Sequence, residues 1–317
     1  MDVHGLHHVT AVTGDVRGNK DFFTRVLGLR LVKKSVNQDD TSAYHMFYAD
    51  KLASPGSDMT FFDWPQTPPE VRGTDGIANT LFRVNGRAAL DYWITRFQAH
   101  GVKHGELQSF AGRDLVRFED PEGQRLSLVD DHGARYDGEP WDGTDVPADY
   151  ALRGFHGVLL SVPNLAQMEP IFTELMNWEK LDAHPSPDDA QESMTIYGMD
   201  GGGPGKEVQV AESRGARPGR LGRGGVHHVA YRVQDAEEQL EWLKRLGEYG
   251  VSNSGIVERY YFKSLYFRIS NGILFELATD GPGFAVDEPL ESLGERLALP
   301  PFLESRRKQI EAGLKPV

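Results

Sequence analysis

The stretch Leu6-His7-His8-Val9 returns almost unchanged as Val226-His227-His228-Val229 in the last third of the chain. Each histidine pair opens an apolar run, residues 9–12 in the first copy and residues 229–233 in the second, that predicts a buried strand. A long separation lies between the copies, so only the fold can bring the two pairs together. Two copies of one pattern also predict an internal repeat, and hence a fold built from similar units.

Four segments share this pattern, and each opens with a quartet of related residues. The quartets are Gly5-Leu6-His7-His8, Gly76-Ile77-Ala78-Asn79, Gly154-Phe155-His156-Gly157 and Gly225-Val226-His227-His228. A helical pattern follows each opening strand, and three short strand-like runs follow each helix. The last run of each unit is entered through a glycine: Gly56, Gly123, Gly205 or Gly272. The repeated order predicts an α+β fold of four βαβββ modules.

Spacing inside the units supports duplication of one ancestral module. Four residues beyond the glycine of each unit lie Thr60, Ser127, Gln209 and Glu276. These residues follow the fourth residue of their quartets by 52, 48, 52 and 48 positions, so units 1 and 3 match in length, as do units 2 and 4. The agreement predicts that both sets of positions are structurally equivalent in the four modules.

The module boundaries follow from the same superposition. We predict module 1 over residues 1–68, module 2 over 74–132, a linker over 133–152, module 3 over 153–213, module 4 over 222–280 and a tail over 281–317. The linker is rich in Asp, Gly and Pro, which is typical of a connecting segment. In the tail, residues 302–314 predict a short helix that packs on the outside of the fold.

Composition limits the classes of function. The chain has 317 residues and a formal charge of −13 at pH 7, which argues against nucleic acid or an anionic membrane as a partner. No apolar run approaches the roughly 20 residues that a membrane span needs, and the first residues lack a signal-peptide core. We therefore expect a cytoplasmic protein. Because the chain has no cysteine, disulfides, thiolate metal sites and cysteine nucleophiles are excluded.

Comparison of equivalent positions singles out three residues. The fourth quartet position carries His8, Asn79, Gly157 or His228, and the last-strand position carries Thr60, Ser127, Gln209 or Glu276. Only units 1 and 4 supply imidazoles, and only unit 4 supplies a carboxylate. Two histidines and one carboxylate are typical of the facial triad that holds non-haem Fe(II) and leaves coordination positions open. The sequence predicts that His8, His228 and Glu276 bind one divalent metal.

The predicted site sets a condition on the fold. His8 and His228 can share a metal only if module 1 pairs with module 4, which leaves module 2 to pair with module 3. We expect two pseudo-barrels with this interlaced pairing, and the metal in the barrel of modules 1 and 4. Sequential pairing, module 1 with 2 and module 3 with 4, would hold the two histidines apart.

A structural role without a metal would also fit these residues. Glu276 lies in the apolar run Ile273–Leu277, and a buried carboxylate needs a cation nearby. Arg259 or Arg268 could supply that charge instead of a metal. A histidine pair alone is more often structural than metal-binding. We assign the isolated histidines to structure or solvent: His45, His100, His132 and His184.

These units and ligands resemble the vicinal oxygen chelate superfamily and, more narrowly, the hydroquinone ring-cleaving dioxygenases, whose best-known member opens 2,6-dichlorohydroquinone. The resemblance covers nearly the whole chain. It rests on Leu6-His7-His8-Val9-Thr10, Thr13-Gly14-Asp15, Asp21-Phe22-Phe23, Arg153-Gly154-Phe155-His156, His227-His228, Tyr261-Phe262, Phe275-Glu276, Gly283-Phe284 and Asp287-Glu288.

The resemblance implies a metal site, a cofactor and a reaction. Fe(II) would be bound by His8, His228 and Glu276, although imidazole and carboxylate accept Mn(II) as well. Five further residues would act beside the metal: His7, Thr10, His227, Arg259 and Tyr266. The resemblance also implies the interlaced pairing of modules. The implied reaction is cleavage of a small aromatic para-diol by O2.

Strand geometry and the resemblance disagree about two of these side chains. Thr10 follows His8 by two residues and should share its face of the strand. Strict alternation turns His7 and His227 to the opposite face, away from the metal, whereas the resemblance places both near it. A bend at the start of each strand would reconcile the two.

Two rival functions fit the same scaffold. A glyoxalase-type isomerase would use a second carboxylate-like ligand, but the module 1 counterpart of Glu276 is Thr60. A metal-free binding protein would have no need of the triad. We expect apolar residues such as Phe47, Phe62 and Phe267 as pocket walls. The external tail helix is compatible with a homo-oligomer.

Overall fold

The strands follow the four repeated units in order. The computed structural model describes residues 1–187 and 192–317, and the positions between these ranges belong to predicted module 3. The strands are β1 (Leu6–Thr13), β2 (Arg30–Val36), β3 (Tyr44–Ala49), β4 (Asp58–Asp63), β5 (Gly76–Val84), β6 (His104–Phe110), β7 (Arg113–Glu119), β8 (Arg125–Asp130), β9 (Phe155–Val162), β10 (Glu179–Pro185), β11 (Ser193–Gly198), β12 (Glu207–Glu212), β13 (Val226–Val233), β14 (Asn253–Glu258), β15 (Lys263–Arg268) and β16 (Leu274–Thr279).

Helices connect the first and second strands of each unit and form the tail. They are α1 (Val16–Asp21, continued by a π-helical turn over Phe22–Val26), α2 (Gly86–His100), α3 (Leu165–Pro170, continued by a π-helical turn over Ile171–Leu175), α4 (Ala236–Glu248), α5 (Pro301–Glu304) and α6 (Arg307–Gly313). Short 3-10 turns cover Ala148–Tyr150, Phe284–Val286 and Leu290–Ser292. The π-helical turns occur in units 1 and 3, so helix shape repeats in the same alternating way as unit length.

The strands form two curled eight-stranded sheets whose order is interlaced. The first sheet runs β14-β15-β16-β13-β1-β4-β3-β2, and the second runs β10-β11-β12-β9-β5-β8-β7-β6. Unit 4 therefore joins unit 1 through the antiparallel pair β13–β1, and unit 3 joins unit 2 through β9–β5. The predicted α+β architecture of two half-barrels with this pairing is confirmed, and sequential pairing is excluded. We keep the predicted module boundaries as a proposed division of the chain.

A glycine stands before the last strand of every unit because the turn there needs a left-handed backbone. The φ angles of Gly56, Gly123, Gly205 and Gly272 are 90°, 90°, 85° and 90°. Side chains other than glycine rarely adopt such values, since Cβ meets the neighbouring carbonyl. The repeated glycine thus fixes the register in which each last strand begins, including the strand that carries Glu276.

Each sheet buries its outer face beneath its helices. Fully buried aromatic residues fill that layer, among them Phe23, Trp93, Phe172 and Trp242. The inner face of the first sheet carries a smaller apolar cluster that includes Phe47, Ala230 and Phe262. The outer layer supplies most of the buried apolar area, so the inner face of the first barrel is free to hold polar groups.

The tail differs from its predicted form. The single helix expected over residues 302–314 is two short helices, α5 and α6, with the break at Ser305 and Arg306. Leu303 and Ile310 bury against Val36 of β2 and anchor the tail on the outside of the first barrel, as expected. No helix among the described residues has the length and apolarity that crossing a membrane would require.

Candidate metal centre

Three neighbouring strands bring the predicted ligands together. His8 lies on β1, His228 on β13 and Glu276 on β16, which are consecutive in the sheet. The two Nε2 atoms are 3.3 Å apart, and Glu276 Oε2 lies 3.2 Å from the first and 3.0 Å from the second. All three side chains are buried. Among the described residues, this is the one cluster of histidine and acidic side chains arranged to hold a metal ion.

The spacing of the three ligand atoms fits a bound ion. An ion with bonds of about 2.1 Å places neighbouring ligand atoms about 3.0 Å apart in an octahedron and about 3.4 Å apart in a tetrahedron. The observed separations, 3.0 to 3.3 Å, fall in that interval. Apart from the two imidazoles, no described group donates a hydrogen bond to the Glu276 carboxylate. A buried carboxylate facing two imidazole nitrogens is the environment that a divalent cation stabilises.

Electrostatics keep Glu276 ionised. Burial alone would raise the pKa of this carboxyl, but the adjacent His8 and His228 outweigh burial and hold the pKa well below its usual value. The two arginines that could have neutralised Glu276 in place of a metal have other partners. Arg259 pairs with Asp39, and Arg268 donates to the Gly272 carbonyl. Neither arginine therefore supplies the positive charge that Glu276 needs.

Two β-bulges resolve the conflict over the first histidine of each pair. Along the β1–β13 ladder, the register skips His7 just before His8, and it skips His227 just before His228. A bulged residue is unpaired and interrupts strict alternation, so two successive side chains can turn towards the same side. The Nδ1 atoms of His7 and His8 lie 2.9 Å apart, and those of His227 and His228 lie 2.7 Å apart. The bend proposed at each strand start is present.

The bulged histidines contact the candidate ligands His8 and His228. If Nε2 of each candidate ligand were bound to a metal, its Nδ1 would carry the proton and donate it to the neighbouring histidine. Burial, with help from the adjacent ligand, lowers the pKa of His7 to about 3 and of His227 to about 3. Both are therefore neutral at physiological pH and available to accept such a hydrogen bond. In that arrangement they would set the tautomer and ring orientation of the two candidate ligands.

A small cavity of about 50 Å³ opens onto the ligand atoms. His8 and His228 lie at its floor, and Phe47 and Phe62 are among its walls, as expected. Phe267 is not a wall: it packs on Phe275 in the outer core, because alternation along β15 turns its neighbour Tyr266 inward instead. A larger surface groove, about 700 Å³, lies elsewhere and contains none of these residues.

His45 belongs to this cavity, contrary to the assignment of that residue to structure or solvent. It lines the cavity, and its Nε2 lies 3.0 Å from the Thr60 hydroxyl, which in turn is 2.7 Å from the Thr10 hydroxyl. Burial, followed by the charges of the two ligand histidines, lowers the pKa of His45 well below its usual value. A signal was available in the sequence: His45 must share a strand face with Phe47, which we expected in the wall. Thr10 is not among the lining residues and is linked to the cavity by its hydrogen bond to Thr60, which bonds His45.

Arg259 and Tyr266 lie at the mouth of the cavity. The Tyr266 ring packs edge-on against His228 with centroids 5.8 Å apart, and the Arg259 guanidinium lies 5.5 Å above the tyrosine ring. Arg259 also pairs with the exposed Asp39 at 2.8 Å, and its carbonyl accepts from Gln38. These contacts join the ends of β2 and β14, the two unpaired edges of the first sheet. They close the barrel on the side where the strands do not meet.

The described part of the second barrel has no comparable cluster. At the positions of His8 and Glu276 it carries Asn79 with Ser127 in one unit and Gly157 with Gln209 in the other. Asn79 Oδ1 and Ser127 Oγ lie 3.2 Å apart and satisfy one another. Duplication thus produced two barrels, of which the described residues equip one for a metal.

Interlaced βαβββ half-barrels, with one His–His–Glu cluster among the described residues that could hold a metal, are typical of proteins of the vicinal oxygen chelate type. Residues 5–128 and 154–284 match the family described as Glyoxalase/Bleomycin resistance protein/Dioxygenase superfamily. The chain belongs to that superfamily. The family recognised from the sequence is therefore confirmed.

Relatives narrow the family further. MhqA of Bacillus subtilis (strain 168), provisionally named a ring-cleaving dioxygenase, is 46% identical over 317 residues, 100% of each chain. The chlorohydroquinone/hydroquinone 1,2-dioxygenase of Sphingobium indicum is 31% identical over 97% of this chain and 95% of its own. These names support the prediction that the chain is an enzyme of the oxygenase class.

Solved structures agree on the fold. A provisionally named dioxygenase from Bacillus subtilis superposes with a TM-score of 0.90 at 34% identity, covering 99% of this chain and 97% of its own. Glyoxalase I from Zea mays superposes with a TM-score of 0.63 at 14% identity, over 87% of this chain and 92% of its own. At that identity the maize enzyme bears on the fold alone.

Proposed function

We propose that the protein is an Fe(II)-dependent dioxygenase that cleaves the aromatic ring of a hydroquinone with O2. The observation that carries the proposal is the buried cluster of His8, His228 and Glu276 beneath an aromatic-walled cavity. Three protein ligands leave coordination positions for two reactants. The names of the relatives favour a phenolic ring as the organic reactant.

Iron bound at this site would polarise and orient a substrate hydroxyl and dioxygen side by side. The protein's own part is to hold the ligands, exclude water and place protons. His7 and His227 accept the Nδ1 protons of the two ligand histidines and so keep each Nε2 directed at the site. Mn(II) suits the same donors, and reconstitution with each metal separates the two.

Tyr266 and Arg259 act on the oxygen atoms of the reactants. Burial and the negative charge of Glu276 raise the pKa of Tyr266, so its hydroxyl stays protonated and can donate. Burial opposes the charge of Arg259, but the Asp39 carboxylate and Tyr266 raise the pKa of the guanidinium, which remains a cation. A donor and a fixed positive charge at one end of a buried cavity stabilise a developing phenolate or a reduced oxygen atom.

Thr10 contributes through a hydrogen-bonded chain. Its hydroxyl meets that of Thr60, which meets His45 at the cavity wall. These hydrogen bonds weigh against a glyoxalase-type isomerase. Thr60 occupies the position at which such an isomerase would carry a further metal ligand, and its hydroxyl is already bonded to Thr10 and His45. A metal-free binding protein would be left with a buried ionised carboxylate and two imidazoles that serve no purpose.

Oxygen uptake tests the proposal. The protein is purified anaerobically, loaded with Fe(II) and mixed with hydroquinone, methylhydroquinone or chlorohydroquinone. We expect uptake together with an open-chain product, and loss of both uptake and iron in H228A. His156 is the matched control, since it is a buried histidine of the second barrel, so H156A should keep both. No uptake with any para-diol or catechol, despite bound iron, rejects the proposal.

A further inference from the structure

Part of the cavity wall comes from strands of the first sheet that carry none of the candidate metal ligands. The ligands lie on β16, β13 and β1, and the sheet continues through β4 and β3 to β2. Ser35 of β2 and His45 of β3 are directly opposite one another in the ladder between those strands. Both line the cavity that has His8 and His228 at its floor. In sheet order, His45 lies two strands and Ser35 three strands from β1, which carries His8, so the curl of the sheet brings this serine–histidine pair into the same cavity as the candidate ligands.

The Ser35 hydroxyl is buried without a partner. The residue is 2% exposed, and among the described residues no group hydrogen-bonds its Oγ atom. A hydroxyl removed from water and left unpaired is costly, so such groups usually mark a place where a ligand or water binds. Because Ser35 lines the cavity, a molecule in the cavity can supply the missing hydrogen bond.

His45 is held rigidly beside this serine. Its ring packs against Phe47 and Phe62, with centroid separations of 3.9 and 4.5 Å, and Thr60 occupies its Nε2. No described group bonds its Nδ1. His45 therefore lies opposite Ser35 in the strand ladder and keeps one ring nitrogen without a described protein partner.

Other polar groups of the cavity are already committed. The Gln38 side-chain amide donates to the Arg259 backbone carbonyl, and the Asn37 side-chain oxygen Oδ1 accepts a hydrogen bond from the Asp39 backbone N–H. The Arg259 guanidinium pairs with the Asp39 carboxylate. Ser35 thus adds to the lining a hydroxyl that a substrate can bind without breaking a protein hydrogen bond, apart from the Tyr266 hydroxyl already assigned to the reactants.

We propose that Ser35, with His45 beside it, binds the substrate hydroxyl that does not reach the metal. The inference rests on the proposed function, because it assumes a phenolic ring anchored at the metal by one oxygen. In a para-diol the second hydroxyl points to the opposite side of the ring, towards Ser35. In an ortho-diol both hydroxyls remain at the metal. Ser35 therefore selects hydroquinones over catechols.

Binding under anaerobic conditions tests this directly. Calorimetric titration of the Fe(II)-loaded protein with hydroquinone, catechol and 4-methylphenol compares ligands with and without a para hydroxyl. Loss of one neutral hydrogen bond weakens binding by about 3- to 12-fold. We expect S35A to lose that much affinity for hydroquinone and to bind catechol and 4-methylphenol within about twofold of the parent protein.

Thr80 supplies the matched control. It is a fully buried hydroxyl of the second barrel with no described hydrogen-bond partner, so T80V should leave all three affinities unchanged. Equal weakening of all three ligands in S35A, or no weakening of hydroquinone, overturns the inference. Oxygen uptake by the parent protein is recorded separately. Absent uptake with a selective effect of S35A rejects the dioxygenase and leaves the binding role of Ser35 intact.

Discussion

Replacing Glu276 by glutamine removes the single negative charge of the proposed metal site and preserves its shape. The wild-type carboxylate lies 3.0 and 3.2 Å from the two imidazole nitrogens and is fully buried. A neutral amide in that position cannot balance a divalent cation in a buried site. We expect E276Q to fold and to lose metal affinity by at least about 100-fold, since each tenfold loss costs only about 1.4 kcal/mol.

The consequence for thermal stability can be worked out. Metal present at 100 times its Kd stabilises the native state by about 2.7 kcal/mol. The unfolding entropy of a chain of 317 residues is about 0.67 kcal/mol per kelvin, so this corresponds to a rise in Tm of about 4 °C. At the same metal concentration, a 100-fold weaker site contributes about 0.4 kcal/mol, or less than 1 °C.

Anaerobic calorimetry or fluorescence melting with and without Fe(II) measures the difference. Glu207 is the matched control, because it is a buried glutamate of the second barrel whose Oε2 lies 3.2 Å from His156 Nε2. E207Q breaks an ion pair with Arg113 and should lower the Tm of the metal-free protein, yet keep the shift of about 4 °C on adding iron. A full metal-dependent shift in E276Q, or its loss in E207Q, would refute the assignment of the site.

Three further predictions concern the surroundings of the site. Y266F should keep the metal-dependent Tm shift but lower the single-turnover rate about 100-fold, because it removes a protonated donor beside His228. D39A should free Arg259 at the mouth and speed anaerobic substrate binding up to about fivefold in stopped-flow traces, since an exposed ion pair is worth about 1 kcal/mol or less. Burial raises the pKa of Asp58 to about 7, above its ordinary value of 3.8, so this group destabilises the fold increasingly as pH rises between those values. D58N should therefore stabilise the metal-free protein at pH 8 by up to about 4 kcal/mol in urea melts, and by progressively less towards pH 4.

Each of these predictions has a contrary outcome. An unchanged turnover rate in Y266F would remove the tyrosine from the chemistry. Unchanged binding kinetics in D39A would mean that the contact across the mouth does not limit access. An effect of D58N that is independent of pH would place its origin in packing rather than in the charge of the carboxylate.

Much of the fold could be predicted from the sequence because duplication preserves the spacing of equivalent residues in the four units. The quartets around His8 and His228 and the glycines before the last strands mark equivalent positions without any knowledge of three-dimensional contacts. The requirement that two distant histidines share an ion then selected the interlaced pairing over the sequential one. The proposed ligand set followed from chemistry, since Glu276 is the only carboxylate at the eight equivalent positions compared in the four units.

The sequence misplaced His45 and Phe267 and left the direction of His7 and His227 open. In each case the direction of the side chain depends on pairing between distant strands. Period-two alternation holds only along an uninterrupted ladder, and the bulges at His7 and His227 arise from the register of β1 against β13. The same alternation, applied to β3, would have placed His45 with Phe47 in the cavity wall. Applied to β15, it would have kept Phe267 out of that wall.

The amino-acid sequence by itself predicted the four modules, their order and the three candidate metal ligands, because repeat spacing and ligand chemistry are local properties of the chain. Only the tertiary structure decided how the neighbouring histidines face, which polar groups meet across the cavity, and how the open edges of the first sheet are joined. Those features depend on contacts between residues far apart in the chain, such as Arg259 with Asp39 and Ser35 with His45 across its strand ladder. No pattern along one strand contains that information.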